Sequence, residues 1–540
     1  MFFQTSATPA NRKRWTSAAM SLSGALLLST SAVAQQAMPA ATGATTKFPI
    51  NGFELTGDIP LKSEDTSRVL APFIGPNGTL DTLQRATAAL EAELKSKGYG
   101  LLRVSLPPQE VGNKVTLHIV KFVIGKVTVE GQSHYSEANI RASLPELREG
   151  DAPNFKTLAV QTAIANENPS KQVQVSLKES EEADKIDVKL LVKDVSPWNL
   201  TAGLSNTGSD ATGKDRFSLV ASHANVFGMD HQFSGAYTTS LERSSDVKQL
   251  GLNYRIPLYR MGGVVGASYT NSDVVGNFGS FNSTGAGQTF GLSYNQYLTP
   301  EGGYRGMVNL GLEDKVFKAG KINGILVPGQ VDRGSRPVTL GYAGRMEADK
   351  YVWGYNAELS ANVSGGEGNS LAAYQSEDPR IRNVNWKALR GGANYAMSFS
   401  SGWMWSLRGQ FQYSPDALIS GEQFGLGGAT SIRGVGERAT AGDSGLSTTF
   451  ELTTPELHAG LRVVGFVDAG WLHSNNTDLN PNKPTSDQLA SAGLGLRYTV
   501  GSFGLTAEWG QVVTGSTVLN GATAPKSGEE KLHVNLTARF

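Results

Sequence analysis

From Val195 to the C-terminus, large apolar side chains take every second position in segments of roughly ten residues, and clusters of Gly, Asn, Asp and Ser separate the segments. In the last segment Leu532, Val534, Leu536, Ala538 and Phe540 share one face, with Lys531, His533, Asn535, Thr537 and Arg539 on the other. Ala492, Leu494, Leu496, Tyr498 and Val500 likewise oppose Ser491, Gly493, Gly495, Arg497 and Thr499. Phe503, Leu505, Ala507 and Trp509 oppose Ser502, Gly504, Thr506 and Glu508, and Trp403, Trp405, Leu407, Phe411 and Tyr413 repeat the pattern upstream. A period of two sends successive side chains to opposite faces of a strand, so this region reads as all-β.

Alternation also fits a soluble sandwich. Three features favour a closed antiparallel barrel in lipid. The 344 residues beyond Ser196 carry no helical interruption, the glycines fall largely on the polar face, and the chain ends in Phe540 on the apolar face. In a barrel the apolar face meets lipid and the polar face lines a lumen. Closure is then compulsory, because an open edge in hydrocarbon leaves backbone donors and acceptors unpaired. Sixteen strands would leave about 21 residues each, enough for a membrane strand of ~9–11 residues and its connection.

Upstream of Val195 the period changes. Strand Phe53–Gly57 is followed by helical stretches at Ser63 to Phe73 and Thr79 to Lys97, then strands at Leu101 to Leu106 and Lys114 to Val120. Leu80, Leu83, Ala86, Leu90 and Leu94 recur at helical spacing, and Gly98 fits the position just past a helix end. The order β-α-α-β-β then restarts at Val127 to Gly131, with helices at Ser136 to Leu144 and Leu158 to Asn166 and strands at Gln172 to Leu177 and Lys185 to Val192. Gly131 lies 74 residues after Gly57. This predicts two copies of one small α/β unit, residues 48–121 and 122–195, ahead of a barrel at 196–540.

The N-terminus predicts a compartment. Arg12, Lys13 and Arg14 precede an apolar stretch from Ala18 to Leu28, and Ala32-Val33-Ala34 fits small-x-small cleavage. Residues 1–34 read as a signal peptide and 35–47, rich in Ala, Thr and Pro, as a linker.

Composition removes several alternatives. No apolar run beyond the N-terminus reaches the ~18 residues of a membrane helix, which excludes a helical membrane protein. Lys+Arg and Asp+Glu both number 48, so no net charge draws the chain to nucleic acid. There are no cysteines, hence no disulfides and no thiolate metal sites, and no metal or cofactor is expected. Gly208 to Lys214 reads G-x-x-x-x-G-K, but Asp215 stands where a phosphate-binding loop needs Ser or Thr, and the flanks alternate as strands; a hairpin turn is expected. Gly442-Asp443-Ser444-Gly445 resembles the nucleophile region of a serine protease, yet none of the seven histidines lies in a partner motif. The chain is read as a non-enzyme.

The most informative stretch is Gly425-Leu426-Gly427-Gly428-Ala429-Thr430-Ser431-Ile432-Arg433-Gly434-Val435, followed by Glu437, Asp443, Glu451 and Pro455, and then by Gly465-Phe466-Val467-Asp468-Ala469-Gly470. The first run resembles the V-R-G-Y/F tip of a lumen-inserted loop, and the second the F-x-D-x-G wall strand, of the two-partner secretion transporters of the hemolysin/hemagglutinin secretion-activation family. The tandem α/β units resemble that family's POTRA domains, and Asn168-Pro169-Ser170 with Trp198 sits where its second such domain passes into the barrel. The resemblance covers essentially the mature chain.

It implies tandem POTRA domains in the periplasm before an all-β antiparallel barrel in a bacterial outer membrane. It also implies an exoprotein translocase, with a large secreted partner recognised through its N-terminal secretion domain, and contacts with outer-membrane lipid and, during biogenesis, the barrel assembly machinery. The alternative is an outer-membrane protein assembly insertase of the same superfamily. The implied site is a loop tip, Ile432, Arg433, Gly434 and Val435, latched to Phe466, Asp468 and Gly470 of the wall, with Phe540 as the C-terminal barrel signature. An Arg on a loop folded into a polar lumen can meet a wall Asp through a two-pronged, charge-assisted hydrogen bond. Val435 departs from the family's aromatic, which puts stacking at the tip in doubt. The family's N-terminal plug helix is not evident in Gln35 to Lys47, leaving the loop as the expected gate.

Overall fold

The computed structural model describes residues 47–110, 114–322, 325–480, 483–518 and 524–540. The expected leader, the expected linker apart from Lys47, and with them the expected lack of a plug helix, lie outside the described residues. The described residues form two compact units, divided between Val123 and Ile124.

In the first unit, helices Ser63–Leu70 and Leu80–Ser96 cover a three-stranded sheet in the spatial order Phe53–Gly57, Val115–Lys121, Leu102–Ser105. The first pair is parallel and the second antiparallel. Thr79 caps the longer helix, its hydroxyl accepting from the Thr82 N–H while the Thr82 side chain accepts from the Thr79 N–H. Leu83, Ala86, Leu90 and Leu94 pack on Leu117 and Ile119, whereas Leu80, in the first helical turn, is exposed because it lies beyond the sheet-facing stripe. The shorter helix ends at Leu70 and continues as a 3₁₀ turn through Pro72, which has no N–H to extend the ladder.

The second unit begins within strand Val123–Glu130, which is followed by helices Glu137–Ser143 and Phe155–Ala165 and strands Lys171–Glu179 and Lys185–Asp194. Its sheet places Lys185–Asp194 in the middle, as Val115–Lys121 is in the first. Gly57 and Gly131 have φ of +92° and +90°. A Cβ on Gly57 would lie 2.3 Å from the Ile119 carbonyl oxygen, and one on Gly131 2.5 Å from that of Val192. One backbone crossing recurs 74 residues apart, so the repeat is structural as well as sequential. Leu102–Ser105 and Lys171–Glu179 are outer strands of their sheets.

Sixteen antiparallel strands then close a barrel, from Trp198–Ser205 to Glu530–Arg539, whose mutual pairing runs from Thr201↔Arg539 to Ser205↔Asn535. One strand is broken at Arg336 into Arg333–Ser335 and Pro337–Glu347, where Pro337 cannot donate to the ladder. Leu494, Leu532, Leu536 and Phe540 point outward and are exposed, while Ser491, Glu508 and His533 point inward and are buried. Successive connections alternate between ends: short turns such as 227–230 and 501–502 at one, long loops such as 363–386 and 414–443 at the other. Residues 208–214 form a turn of the first hairpin, with the Gly208 N–H donating to the Lys214 carbonyl at 2.9 Å.

The second α/β domain is docked on the short-turn end. Val160 and Ile164 of helix Phe155–Ala165 pack against Val264 and Tyr297. The buried Lys171 ammonium pairs with the Asp230 carboxylate, to which the Tyr259 hydroxyl also donates at 2.7 Å. Burial pulls the Lys171 amine below its ordinary pKa, with Asp230 opposing the shift. Asn168 Nδ2 donates to the Ala224 carbonyl at 2.8 Å, which places Asn168-Pro169-Ser170 in this joint.

Gly131→Ala is expected to destabilise the second α/β domain by about 1–3 kcal/mol, since the new Cβ meets backbone in a left-handed conformation. Gly75→Ala, where nothing lies within 4 Å, is expected to be neutral. Protease resistance of the folded full chain during heating checks both, and equal behaviour would contradict the packing described.

Candidate functional site: a loop clamped inside the barrel

Between strands Met404–Tyr413 and Ser444–Thr453 the chain leaves the wall at the long-loop end. Strands Phe424–Leu426 and Thr440–Gly442 pair as a small hairpin that carries residues 427–439 into the lumen. The tip is tightly turned: the Gly428 N–H donates to the Ile432 carbonyl at 3.1 Å, and Glu437 Oε1 accepts from the Ala429 N–H at 3.1 Å. Leu426, Ile432 and Val435 are buried with Leu472, Leu489 and Val512, three apolar residues on the inward face of the wall. The loop therefore seats on an apolar patch of the inner wall.

Next to that patch lies a dense ionic cluster. Arg433 Nε and Nη2 donate to Asp468 Oδ2 and Oδ1 at 2.9 and 2.8 Å, the two-pronged geometry, and the Arg433 backbone N–H adds a third bond to Oδ2 at 3.0 Å. Its remaining nitrogen, Nη1, reaches Glu451 Oε1 at 2.7 Å and Glu508 Oε2 at 3.2 Å. Arg497 Nη2 bridges the same two glutamates at 3.0 and 2.7 Å. Arg433 is 2% exposed and Asp468 0%, so water shields neither. A buried pair broken on one side costs about 3–5 kcal/mol, several times an exposed pair; here three carboxylates on three different strands answer two guanidinium groups.

The wall strand Leu461–His473 presents its motif residues at alternate positions. The Arg433 guanidinium lies 3.4 Å above the Phe466 ring, a cation–π contact. Gly470 leaves room for the loop, since a Cβ there would lie 2.6 Å from Leu426 Cδ2. Gly434, at φ +95°, meets Gly510 backbone to backbone: a Cβ on Gly434 would be 2.8 Å from the Gly510 carbonyl oxygen. The Gly434 N–H donates to His533 Nε2 at 3.1 Å, which requires the His533 proton on Nδ1.

The structure thus brings Ile432, Arg433, Gly434, Val435, Phe466, Asp468 and Gly470 together, with Glu451 beside them. Phe540 stands apart, at the short-turn end of the closing strand, its N–H donating to the Leu200 carbonyl at 2.8 Å. The aromatic partner of Arg433 comes from the wall, through Phe466, and Val435 serves as an apolar foot. Glu508, Arg497, His533 and Gly510 belong to the site but stand in no sequence motif. Their one signal is polar-face position, and for Glu508 a carboxylate among Gly504, Thr506, Gly510 and Val512 on the same face.

Asp443 is an anchor at the root of the loop. It is wholly buried, its Oδ1 accepting from the Leu418 N–H and Gln423 Nε2 and its Oδ2 from Arg380 Nη1 and the Asn475 N–H. Ser444 Oγ is engaged with the Ser414 N–H and carbonyl. These contacts tie three long loops together and give the Asp-Ser pair a structural role.

Comparison with known proteins places the chain in a family. Residues 184–498 match the model of the family described as haemolysin secretion/activation protein ShlB/FhaC/HecB, and residues 48–121 match the POTRA domain, ShlB-type. The outer membrane transporter CdiB of Escherichia coli is 23% identical over 84% of this chain and 77% of its own length, and that of Dickeya dadantii 24% identical over 77% and 75%. Among solved structures, CdiB from Escherichia coli superposes with a TM-score of 0.72 at 19% identity, covering 94% of this chain and 93% of that one. CdiB from Acinetobacter baumannii gives 0.69 at 17% identity, covering 92% and 91%. With more than half its length matched by the family model, the chain belongs to the haemolysin secretion/activation family of outer-membrane transporters.

Proposed function

We propose that this transporter captures an unfolded exoprotein in the periplasm and passes it outward through the barrel, with the Arg433–Asp468 contact as the latch that holds loop 414–443 in the lumen. The observation that carries the latch is the two-pronged bond from a loop residue to a wall residue, both removed from water. The periplasmic segments are residues 48–121 and 122–195, and residues 1–34 are a cleaved leader. An extended client can add as a strand to an outer sheet edge, for which Leu102–Ser105 and Lys171–Glu179 are available. Val173 is already taken, because the Asn166 side-chain amide pairs with its N–H and carbonyl at 2.6 and 3.0 Å. That leaves the stretch beyond Val173 for a client. Energy for passage comes from client folding outside the cell, since no nucleotide motif serves the chain.

The partner is a large secreted protein recognised through its N-terminal segment, and the barrel itself is placed in lipid by the barrel assembly machinery, with Phe540 as its C-terminal signature. Assembly of other barrels is the second reading of this architecture. Two periplasmic units favour secretion over that reading.

Two outcomes test the proposal. Arg433→Ala is expected to abolish release of the exoprotein while the barrel stays folded and heat-modifiable, and Gly470→Leu to act in the same direction by displacing Leu426; normal export by Arg433→Ala would refute the latch. Deleting Phe48 to Val195 is expected to remove one large protein from the culture medium while the outer-membrane barrel profile is unchanged. Broad loss of barrels would favour the insertase instead.

A further inference from the structure

Loop 414–443 is accompanied in the lumen by a second intruder. Between wall strands Gly263–Ser272 and Gly287–Tyr297, strands Gly276–Phe278 and Phe281–Ser283 pair as a short hairpin. An isolated two-stranded hairpin is marginal in water, so its order needs an external cause. Phe281 supplies one. Its ring is 8% exposed and packs with Val220 and Ala236, and a Cβ on Gly251 would lie 2.4 Å from it. At the turn, a Cβ on Gly279 would come within 3.0 Å of Ala236 Cβ and 3.2 Å of a Val220 methyl.

These three wall residues face inward, because Leu219, Phe233, Tyr237 and Leu250, their odd-and-even counterparts on the same strands, point to lipid. A water-filled lumen selects polar side chains, yet Val220, Ala236 and Gly251 make a small apolar seat matched to one aromatic ring. Val220 is four residues inside the long-loop end of its strand, so the hairpin reaches roughly 13 Å into the barrel at ~3.3 Å per residue.

The hairpin also touches the loop that carries Arg433. Asn277 Nδ2 donates to Thr430 Oγ1 at 3.2 Å, Asn282 Nδ2 orients Asn277 through a 2.6 Å bond to Oδ1, and Thr284 Oγ1 donates to the Gly421 carbonyl at 2.8 Å. The two intruders stand on different parts of the wall. The hairpin sits on strands Arg216–Val226, His231–Ser240 and Lys248–Leu258, and the loop on Leu461–His473, Phe503–Thr514 and Glu530–Arg539. Each is held to its own wall by burial or charge. Their mutual contacts are neutral hydrogen bonds, the weakest link in the assembly.

We propose that hairpin Gly276–Ser283 is the second half of the pore's plug, seated by Phe281 on Val220, Ala236 and Gly251, and that the Asn277–Thr430 contact is the line along which the two halves part when the channel opens. The proposal rests on the translocation reading for its purpose, but its test does not use a client. Potassium chloride conductance of the purified full chain in planar bilayers is the probe. Replacing Gly276–Ser283 with a Gly-Ser turn is expected to raise conductance several-fold in a barrel that remains heat-modifiable. Gly251→Leu, which fills the seat and leaves the hairpin intact, is expected to raise it likewise. Resting conductance unchanged in both variants overturns the plug.

The parting line has its own arm, because the chain holds no cysteine. Arg433→Ala, which frees the loop from Asp468, is expected to raise conductance, an oxidised Asn277→Cys/Thr430→Cys pair in that background to suppress the increase, and reduction to restore it. An increase that persists with the bridge formed overturns the parting line. A culture medium left unchanged by deletion of Phe48 to Val195, with these conductance results intact, would count against the translocase reading alone.

Discussion

A backbone in hydrocarbon must satisfy its own hydrogen bonds, and every other feature of this molecule follows from meeting that constraint with a closed sheet. Closure sends alternate side chains into a lumen wide enough for water. A sixteen-stranded lumen left empty would be an open hole, so the interior has to be filled by chain that is itself tied down. Loop 414–443 does this with an apolar foot on Leu472, Leu489 and Val512 and an ionic cluster centred on Arg433. Arg433 tolerates burial because its guanidinium donates to Asp468, Glu451 and Glu508, so that its charge is not left unpaired.

The same arrangement makes the interior separable. Charge-assisted bonds hold the loop to one arc of wall, and an aromatic ring holds the hairpin to another, whereas neutral amide and hydroxyl groups join the two. At the other end of the barrel the second α/β domain is fixed by Lys171–Asp230 and by Val160 and Ile164 against Tyr297. Its sheet edge is therefore held at a set position against the short turns, which suits delivery of an extended chain to one place on the rim.

Much of this was legible in the residues. A period of two over 344 positions predicted the barrel, and the recurring element order with glycines at 57 and 131 predicted the repeat, in which both glycines occupy the same crowded, left-handed crossing. Arg433 and Asp468 were legible through short motifs. Glu508, Arg497 and His533 were not, because they come from strands far along the chain and alternation fixes only their face, never their neighbours. The hairpin at Gly276–Ser283 escaped for a related reason: the seat for Phe281 exists only once three strands are in register, with Gly251 opposite the ring. Val435 shows the converse. Its departure from an aromatic looked like a lost stacking contact, and the wall provides that contact through Phe466.

If the bond from Arg433 to Asp468 keeps the loop inside the barrel, accessibility at the loop tip depends on it. In the cysteine-free chain, Val435→Cys places one thiol in the buried foot. Intact cells treated with a membrane-impermeant maleimide should leave that thiol unlabelled at rest, and adding Asp468→Asn should expose it to rapid labelling. Equal labelling with and without the Asp468 substitution would mean that the loop is held by something other than this bond.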